Sequence, residues 1–208
     1  MFDSVVLTRL HNAMLVALAS LLLTTATASH ASELQRYRFD PTHSQIVFFV
    51  SHLGFSQAIG RLRLGPGHFS FDEEDWSRST VDVAVNLDSL DMGDAKWTDA
   101  VKAGQLLDVA RYPQARFMSR TVEKVGGNKG VIHGELALHG KTVPLDLAVT
   151  FNKAARDPYT FKDKVGFSAS TTLQRGEFGI KRYQGVIGEA VEVRIEVEGI
   201  PDNRIGNQ

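Results

Sequence analysis

The sequence contains no cysteine, and this absence removes several kinds of structure and chemistry at once. Disulfide bonds, thiolate metal sites and cysteine nucleophiles are all excluded. An excess of charge is also missing, because 23 lysines and arginines face 24 aspartates and glutamates, for a formal net charge of -1. Without a strong positive field, nucleic acid is not an expected partner. The fold must therefore be held together by apolar burial and backbone hydrogen bonds.

The first 31 residues have the composition of a secretory signal peptide. A short start with Arg9 leads into the apolar run Ala13–Leu23, and small residues follow. This run is about half as long as the ~20 apolar residues that a membrane span requires. We expect cleavage after Ala28 or Ala31, two sites that the pattern does not distinguish, and export to the periplasm. Residues 32–208 are then long enough for one domain with its own core.

Most of the remaining chain alternates apolar and polar residues with a period of two. Val81, Val83 and Val85 alternate with Asp82 and Asn86, for example. Side chains of a strand point alternately to opposite faces, so each such segment has one apolar side. The pattern predicts eight strands, which are Ser44–Val50, Gly60–Phe71, Val81–Leu87, Ala115–Val122, Val131–Leu138, Val143–Phe151, Val165–Leu173 and Val191–Glu198. Short turns between several of them make the neighbouring strands antiparallel.

One segment has the spacing of a helix instead. Between Asp94 and Leu107, apolar residues such as Trp97 and Val101 recur at intervals of three or four, and Asp94 can cap the start. One helix cannot cover the apolar faces of eight strands, so the sheet has to cover itself by closing into a barrel. The predicted fold class is therefore all-β, with an eight-stranded antiparallel barrel and one covering α-helix.

The residues alone leave open whether this barrel is filled or hollow. Large inward positions such as Phe48 and Phe117 are interspersed with small ones such as Ala169 and Gly134. Small positions leave room for a guest, yet small barrels also alternate small and large side chains to fit their taper. An eight-stranded barrel can be filled by side chains or can hold one small ligand.

Reactive side chains do not form a recognisable catalytic or metal-binding motif. His43 and His52 have opposite parity on one extended stretch, so they should point to opposite faces. His133 and His139 are roughly 20 Å apart along a strand. Residues 134–142 resemble a phosphate-binding loop, but the glycine spacing is wrong and the chain continues as a strand. We therefore expect no metal, no cofactor and no catalytic residue.

Eight short motifs occur in order along the chain. They are Phe-Asp-Pro-Thr-His-Ser (39–44), Phe-Phe-Val-Ser-His-Leu-Gly (48–54), Gly-Asp-Ala-Lys-Trp (93–97), Leu-Asp-Val-Ala-Arg-Tyr-Pro (107–113), Phe-Met-Ser (117–119), Leu-Ala-Leu-His-Gly-Lys-Thr-Val-Pro (136–144), Arg-Gly-Glu-Phe-Gly-Ile (175–180) and Ile-Gly-Glu-Ala-Val (187–191). Their order and spacing resemble the YceI-like family of periplasmic polyisoprenoid-binding proteins. Two segments depart from that family: residues 97–101 read Trp-Thr-Asp-Ala-Val where many relatives have Arg-Asp-x-His-Leu, and Gly176-Glu177 replaces Ser-Asp.

The resemblance implies a lipocalin-like barrel that encloses a long apolar channel. Residues 32–208 would form a YceI-like lipid-binding β-barrel domain, which binds and carries a polyisoprenoid or another long-chain amphiphile without chemical reaction. Transient contact with a membrane would let the ligand enter and leave. The expected lipid-binding residues are Phe48, Val50, His52, Phe69, Phe71, Val83, Val85, Trp97, Phe117, Leu138, Phe167, Phe178, Arg182 and Tyr183. Trp97 would form a lid, and Arg182 and Tyr183 would orient the polar end of the ligand or else only cover the rim.

Two alternatives remain open at this point. The barrel could hold an enzyme active site, for which His52 is the best candidate base at the end of its strand. The barrel could also be filled and bind a partner through its outer surface. Val47 and Phe49, which are apolar on the face opposite Phe48, support that second alternative, although they could equally lie under the helix or in a homodimer contact.

Overall fold

The structure, a computed structural model, describes residues 34–202. The signal peptide predicted for residues 1–31 lies outside the described residues. The elements are β1 (Gln35–Phe39), β2 (Gln45–His52), β3 (Ser56–Phe71), a 3-10 turn (Trp76–Arg78), β4 (Thr80–Asp91), α1 (Ala95–Lys102), β5 (Gln114–Gly126), β6 (Lys129–Leu138), β7 (Lys141–Arg156), β8 (Asp163–Gln174) and β9 (Ile187–Pro201).

The sheet closes on itself. Each strand from β2 to β9 pairs antiparallel with the next one, and β9 pairs back with β2, where Phe48 lies opposite Val193. Strand β1 lies beyond the end of β2 between the same two neighbours, so that Tyr37 is opposite Phe69 on β3 and Pro201 on β9. Strands β1 and β2 thus share one of eight positions around the barrel. The predicted eight-stranded antiparallel barrel with one covering helix is confirmed.

The corner between β1 and β2 explains one of the sequence motifs. The Asp40 N–H donates to the Glu198 carbonyl at 2.8 Å, and the Ser44 hydroxyl accepts from the Glu198 N–H at 3.1 Å. The Asp40 carboxylate accepts from the Thr42 N–H at 3.0 Å and lies 2.9 Å from His43 Nδ1. These bonds fasten the corner to β9, which lets the chain continue in the same direction from β1 into β2.

A charge cluster completes this corner. The Lys164 Nζ lies 3.4 Å from Asp40 Oδ2, 3.1 Å from Asp157 Oδ2 and 2.9 Å from Glu198 Oε2. The four residues of the cluster come from the β1–β2 corner, the β7–β8 turn, β8 and β9. The ammonium group therefore links four consecutive parts of the barrel wall.

The end of the barrel opposite the helix is filled by aromatic side chains. The ring centroid of Phe71 lies 4.9 Å from Phe167, 5.2 Å from Phe151 and 5.6 Å from Trp76, mostly in edge-to-face or tilted contacts. Phe69 also packs edge-on against Phe167, at 5.7 Å. Such contacts stabilise more than their buried area alone implies. We call this the closed end and the opposite one, which carries α1, the helix end.

Helix α1 is shorter than predicted. Asp94 caps it as expected, accepting from the Trp97 N–H at 2.9 Å, but the helix ends at Lys102 and not at Leu107. After Lys102 the chain folds back, so that the Leu107 N–H donates to the Val101 carbonyl, and Leu107 packs against the core. Across residues 34–202, no helix is long and apolar enough to cross a membrane.

Large inward side chains lie over glycines of the wall, which keeps them away from the barrel axis. Phe48 on β2 is directly opposite Gly60 on β3, and a Cβ atom at Gly60 would overlap the Phe48 ring. The Phe117 ring covers Gly134 in the same way. Each ring uses the space that a neighbouring side chain would take, so the inner wall carries phenylalanines without filling the centre.

The first prediction concerns this wall packing. Gly60→Ala forces the Phe48 ring off the wall and should lower the free energy of unfolding by ~1–3 kcal/mol. Gly126→Ala is the matched control, because nothing lies within 4 Å of the added methyl group. It should be neutral or slightly stabilising, since alanine restricts the unfolded chain. Urea unfolding measures both, and equal stabilities of the two variants would contradict the packing described.

The second prediction concerns acid. Burial alone would raise the pKa of Asp40, but hydrogen bonds with His43, the Thr42 N–H and Lys164 outweigh it and lower the pKa to about 2. Because the folded-state pKa is below the unfolded value of about 4, Asp40 stabilises the fold above that pH and this contribution is lost as the pH falls toward 2. Asp40→Asn should therefore cost ~2 kcal/mol at neutral pH and converge with the wild type in acid.

Thermal unfolding across that pH range, followed by circular dichroism, measures the difference. Asp163→Asn is the matched control. Asp163 is exposed and directly precedes Lys164 in the sequence, but its carboxylate lies outside the charge cluster. A constant gap between Asp40→Asn and the wild type down to the lowest pH would show that the carboxylate charge is not the cause.

Candidate ligand-binding cavity

The barrel is hollow. It encloses a cavity of about 310 Å³, which is roughly twenty to thirty times the ~10–15 Å³ that one water molecule needs. Residues from all nine strands line it, together with Trp97 and Val101 of α1. The structure therefore answers the question that the alternation of large and small residues left open.

Most residues predicted to bind lipid lie on the cavity wall. Eleven of the fourteen do so, namely Phe48, Val50, His52, Phe69, Phe71, Val83, Val85, Trp97, Phe117, Leu138 and Phe167. The structure brings together side chains of β2, β3, β4, β5, β6, β8 and α1. That these residues bind lipid stays a prediction.

Several wall residues were missing from the predicted set. Strand β9 contributes Val191, Val193, Ile195 and Val197, and β7 contributes Leu145, Leu147 and Val149. Their period-two pattern is as clear as that of β4. Once the barrel was predicted to be closed, the inward residues of every strand could have been included.

The two ends of the cavity differ in their side chains. At the closed end, the wall includes the buried rings of Phe69, Phe71 and Trp76, together with Ser70 and Ser79. At the helix end it includes His52, whose ring centroid is 5.7 Å from that of Trp97. Trp97 is 38% exposed while also lining the cavity, so the mouth lies beside it. Polar lining residues such as Ser51 join His52 at this mouth.

Three predicted residues are not on the wall. Phe178 is completely buried within the core, in the connection between β8 and β9. The Arg182 guanidinium lies over the Tyr183 ring, 5.0 Å from its centroid, and the Tyr183 hydroxyl donates to Gln105 Oε1 at 2.9 Å. None of the three lines the cavity, because they lie on an irregular connection where strand parity does not apply. That they contact a bound lipid stays a prediction.

Arg175, which precedes them in the same connection, has a structural role. Arg175 is 4% exposed, and its guanidinium donates to four carbonyl oxygens, those of Gly188 at 2.9 Å, Ile180 at 2.7 Å, Arg182 at 2.8 Å and Ile187 at 3.1 Å. Four of its five N–H groups are therefore used. Arg175 holds the β8–β9 connection in place and has little capacity left for a ligand.

The clustered titratable groups of the β1–β2 corner lie away from the cavity, and His52 is on its wall. Asp40, His43 and Glu198 place one ligand atom each within 4.8 Å of one another, a spacing that suits a metal ion. However, Lys164 already supplies a positive charge to both carboxylates, and none of the three lines the cavity. Among the described residues, none forms a hydrogen bond or ion pair with the His52 imidazole.

The outer apolar residues of β2 are partly covered. The Arg194 guanidinium lies over the Phe49 ring at 5.2 Å from its centroid. Phe49 pairs with Ile59, which is 50% exposed. A homodimer contact on this face stays a prediction.

Comparisons with known proteins agree with this geometry. A family model described as the YceI-like domain matches residues 37–199. A UPF0312 protein of Pseudomonas putida is 32% identical over 185 residues, which cover 88% of this chain and 95% of that protein.

Two solved structures show the same fold at low sequence identity. BcnA of Burkholderia cenocepacia has a TM-score of 0.70 at 19% identity, covering 77% of this chain and 98% of BcnA. A structure described as a polyisoprenoid binding domain from Saccharophagus degradans, implicated in plant cell wall breakdown, has a TM-score of 0.57 at 15% identity and covers 82% of this chain and 100% of that domain.

The family match is nearly coextensive with the barrel. It runs from Tyr37 in β1 to Gly199 in β9, so that it omits only the outermost residues of the first and last strands. All eight motifs that resemble this family lie within the matched residues. The chain belongs to the YceI-like family.

Proposed function

We propose that the protein binds a polyisoprenoid or a similar long-chain amphiphile inside the barrel and carries it through the periplasm without changing it chemically. The observation that carries the proposal is the cavity of about 310 Å³ with an almost wholly apolar wall. Membership in the YceI-like family supports a binding role, and one structure with this fold is described as a polyisoprenoid binding domain.

The driving force would be the removal of hydrocarbon from water. Transfer of each methylene-sized unit into an apolar environment is worth ~0.8 kcal/mol, so a long chain gains much more from burial than from any single polar contact. Most wall residues are aliphatic or aromatic and offer no hydrogen bonds. Selection among ligands would therefore depend on the shape and length of the chain.

The cavity suits an amphiphile that enters with its hydrocarbon end first. The rings of Phe69, Phe71 and Trp76 fill the closed end, whereas the mouth, with Ser51 and His52, is open to solvent beside Trp97. A polar head group would stay near the mouth, where it keeps its hydration. Arg182 and Tyr183 lie outside the cavity at the helix end. They could therefore contact a head group that projects from the mouth.

We propose transport rather than catalysis because the described residues of the cavity wall do not pair a general base with a group that orients it. A general base needs a partner that orients it, and the His52 ring contacts Trp97 without a hydrogen-bonded carboxylate among the described residues. The periplasmic location is proposed from the signal-peptide pattern of residues 1–31.

A third prediction tests whether the lumen is the binding site. Ala169 on β8 lines the cavity, and Ala169→Phe places a ring where the hydrocarbon would lie. Ala148 on β7 is exposed and does not line the cavity, so Ala148→Phe is a chemically identical control on the outer face. Ala169→Phe should weaken binding of geranylgeraniol about tenfold or more, while Ala148→Phe should leave it unchanged.

Gentle native mass spectrometry of each purified protein, followed by lipid extraction, gives the second readout. The wild type and Ala148→Phe should carry an amphiphile at near one-to-one stoichiometry, and Ala169→Phe should not. A wild-type protein that purifies free of amphiphile and does not bind geranylgeraniol would refute the proposal.

A fourth prediction separates a carrier from an enzyme. If His52 only lines the mouth, His52→Gln should change the affinity for geranylgeraniol by no more than about tenfold, and the bound lipid should remain chemically intact. Mass analysis of the extracted lipid before and after incubation tests this. Conversion of the lipid by the wild type that stops in His52→Gln would establish the enzymatic alternative.

A further inference from the structure

Exposed apolar side chains surround the mouth of the cavity. Phe55 is 89% exposed and Leu53 is 50% exposed, both in the turn between β2 and β3. Tyr183 and Val186 are 44% and 38% exposed on the β8–β9 connection, and Trp97 is similarly exposed on α1. We call these five residues the rim. Leu53 directly follows the wall residue His52, and Val186 directly precedes the wall residue Ile187, so the rim lies next to the mouth.

The rim segments are fastened to one another. The Leu53 N–H donates to the Val186 carbonyl at 2.7 Å, which joins the β2–β3 turn to the β8–β9 connection. The Phe55 N–H donates to the His52 carbonyl at 3.1 Å, and the Tyr183 hydroxyl bonds to Gln105 in the segment after α1. A hydrogen-bonded turn therefore holds the Phe55 side chain in solvent. Burying a side chain of this kind would be favourable by ~1.5–3 kcal/mol.

The rim also carries positive charge. Lys181 and Arg182 are exposed beside Tyr183, and there is no acidic residue between Ile180 and Ile187. Within residues 34–202, no carboxylate lies at ion-pair distance from either cation. Cations next to tyrosine, tryptophan and exposed apolar tips are typical of surfaces that meet the head groups of a lipid bilayer.

We propose that the rim docks on the surface of a phospholipid bilayer. Leu53 and Phe55 would enter the interfacial region, and Lys181 and Arg182 would lie against lipid phosphates. The mouth would then face the membrane, and a hydrocarbon chain could pass between bilayer and cavity without crossing water. This inference rests on the proposed function, since it names the surface from which the ligand is taken.

A bilayer fits the rim better than a second protein does. Stable protein interfaces involve about 20–30 residues on each side, and the rim offers five apolar side chains on three short segments. A bilayer needs only a few inserted tips and a complementary charge, because its surface adapts to them.

The test uses flotation of the purified protein with vesicles of mixed phosphatidylethanolamine and phosphatidylglycerol. The double variant Leu53→Ser/Phe55→Ser should reduce the vesicle-bound fraction about tenfold or more, as expected for the loss of inserted apolar side chains. The matched control is Tyr159→Ser/Phe161→Ser, which removes side chains that are 90% and 68% exposed on the β7–β8 turn at the closed end. The control should float like the wild type.

Charge is tested separately. Lys181→Glu/Arg182→Glu should weaken binding to these vesicles and remove most of its dependence on salt. Wild-type protein that does not float, or a closed-end control that loses binding as strongly as the rim variant, would overturn the proposal. So would a rim that is covered by a second copy, seen as a dimer in analytical ultracentrifugation that dissociates in Leu53→Ser/Phe55→Ser.

These experiments distinguish a failure of membrane docking from a failure of the proposed ligand binding. Neither Leu53 nor Phe55 lines the cavity, so the rim variant should keep the wild-type affinity for geranylgeraniol in the absence of vesicles. Transfer of geranylgeraniol from vesicles to protein should slow about tenfold. Ligand binding without flotation refutes docking alone, and flotation without ligand binding refutes carriage alone.

Discussion

The pairing of β9 with β2 is the constraint on which the rest of the structure depends. It gives both edge strands of the sheet a partner and turns eight one-sided strands into a closed surface with a common interior. With no cysteine in the chain, this closure and the burial that follows from it hold the domain together. The corner bonds of Asp40 and Ser44 to Glu198 act at the same seam, since they fix β1 and β2 against β9.

Closure also explains which features could be predicted from sequence. Strand parity is a local property, so segments such as Val81–Leu87 and Val191–Glu198 revealed both their structure and their inward faces. Strand β1 was missed because five residues that include two arginines give too few alternations. The extent of α1 was overestimated because Leu107 reaches the core by a turn, at a spacing that also fits a helix.

The site was harder to predict where the chain is irregular. Phe178, Arg182 and Tyr183 lie on a connection that Arg175 holds in place. The four carbonyls to which its guanidinium donates could not be predicted from any periodic pattern in the sequence. Whether the barrel is hollow depends on contacts between strands, such as the Phe48 ring over Gly60, that composition does not contain. Several polar residues of the motifs that resemble the family, including Asp40, Ser44 and Arg175, hold turns and connections that frame the cavity.

The filled closed end has a kinetic consequence. A tube with two openings could load at one and discharge at the other, and its orientation would impose a direction on traffic. In this barrel, the edge-to-face rings of Phe69, Phe71, Phe167 and Trp76 fill one end, so a ligand bound as proposed would leave by the way it entered. Loading and discharge would then be the forward and reverse of a single event. Net flow would be set by the relative abundance of the molecule at the places the protein visits.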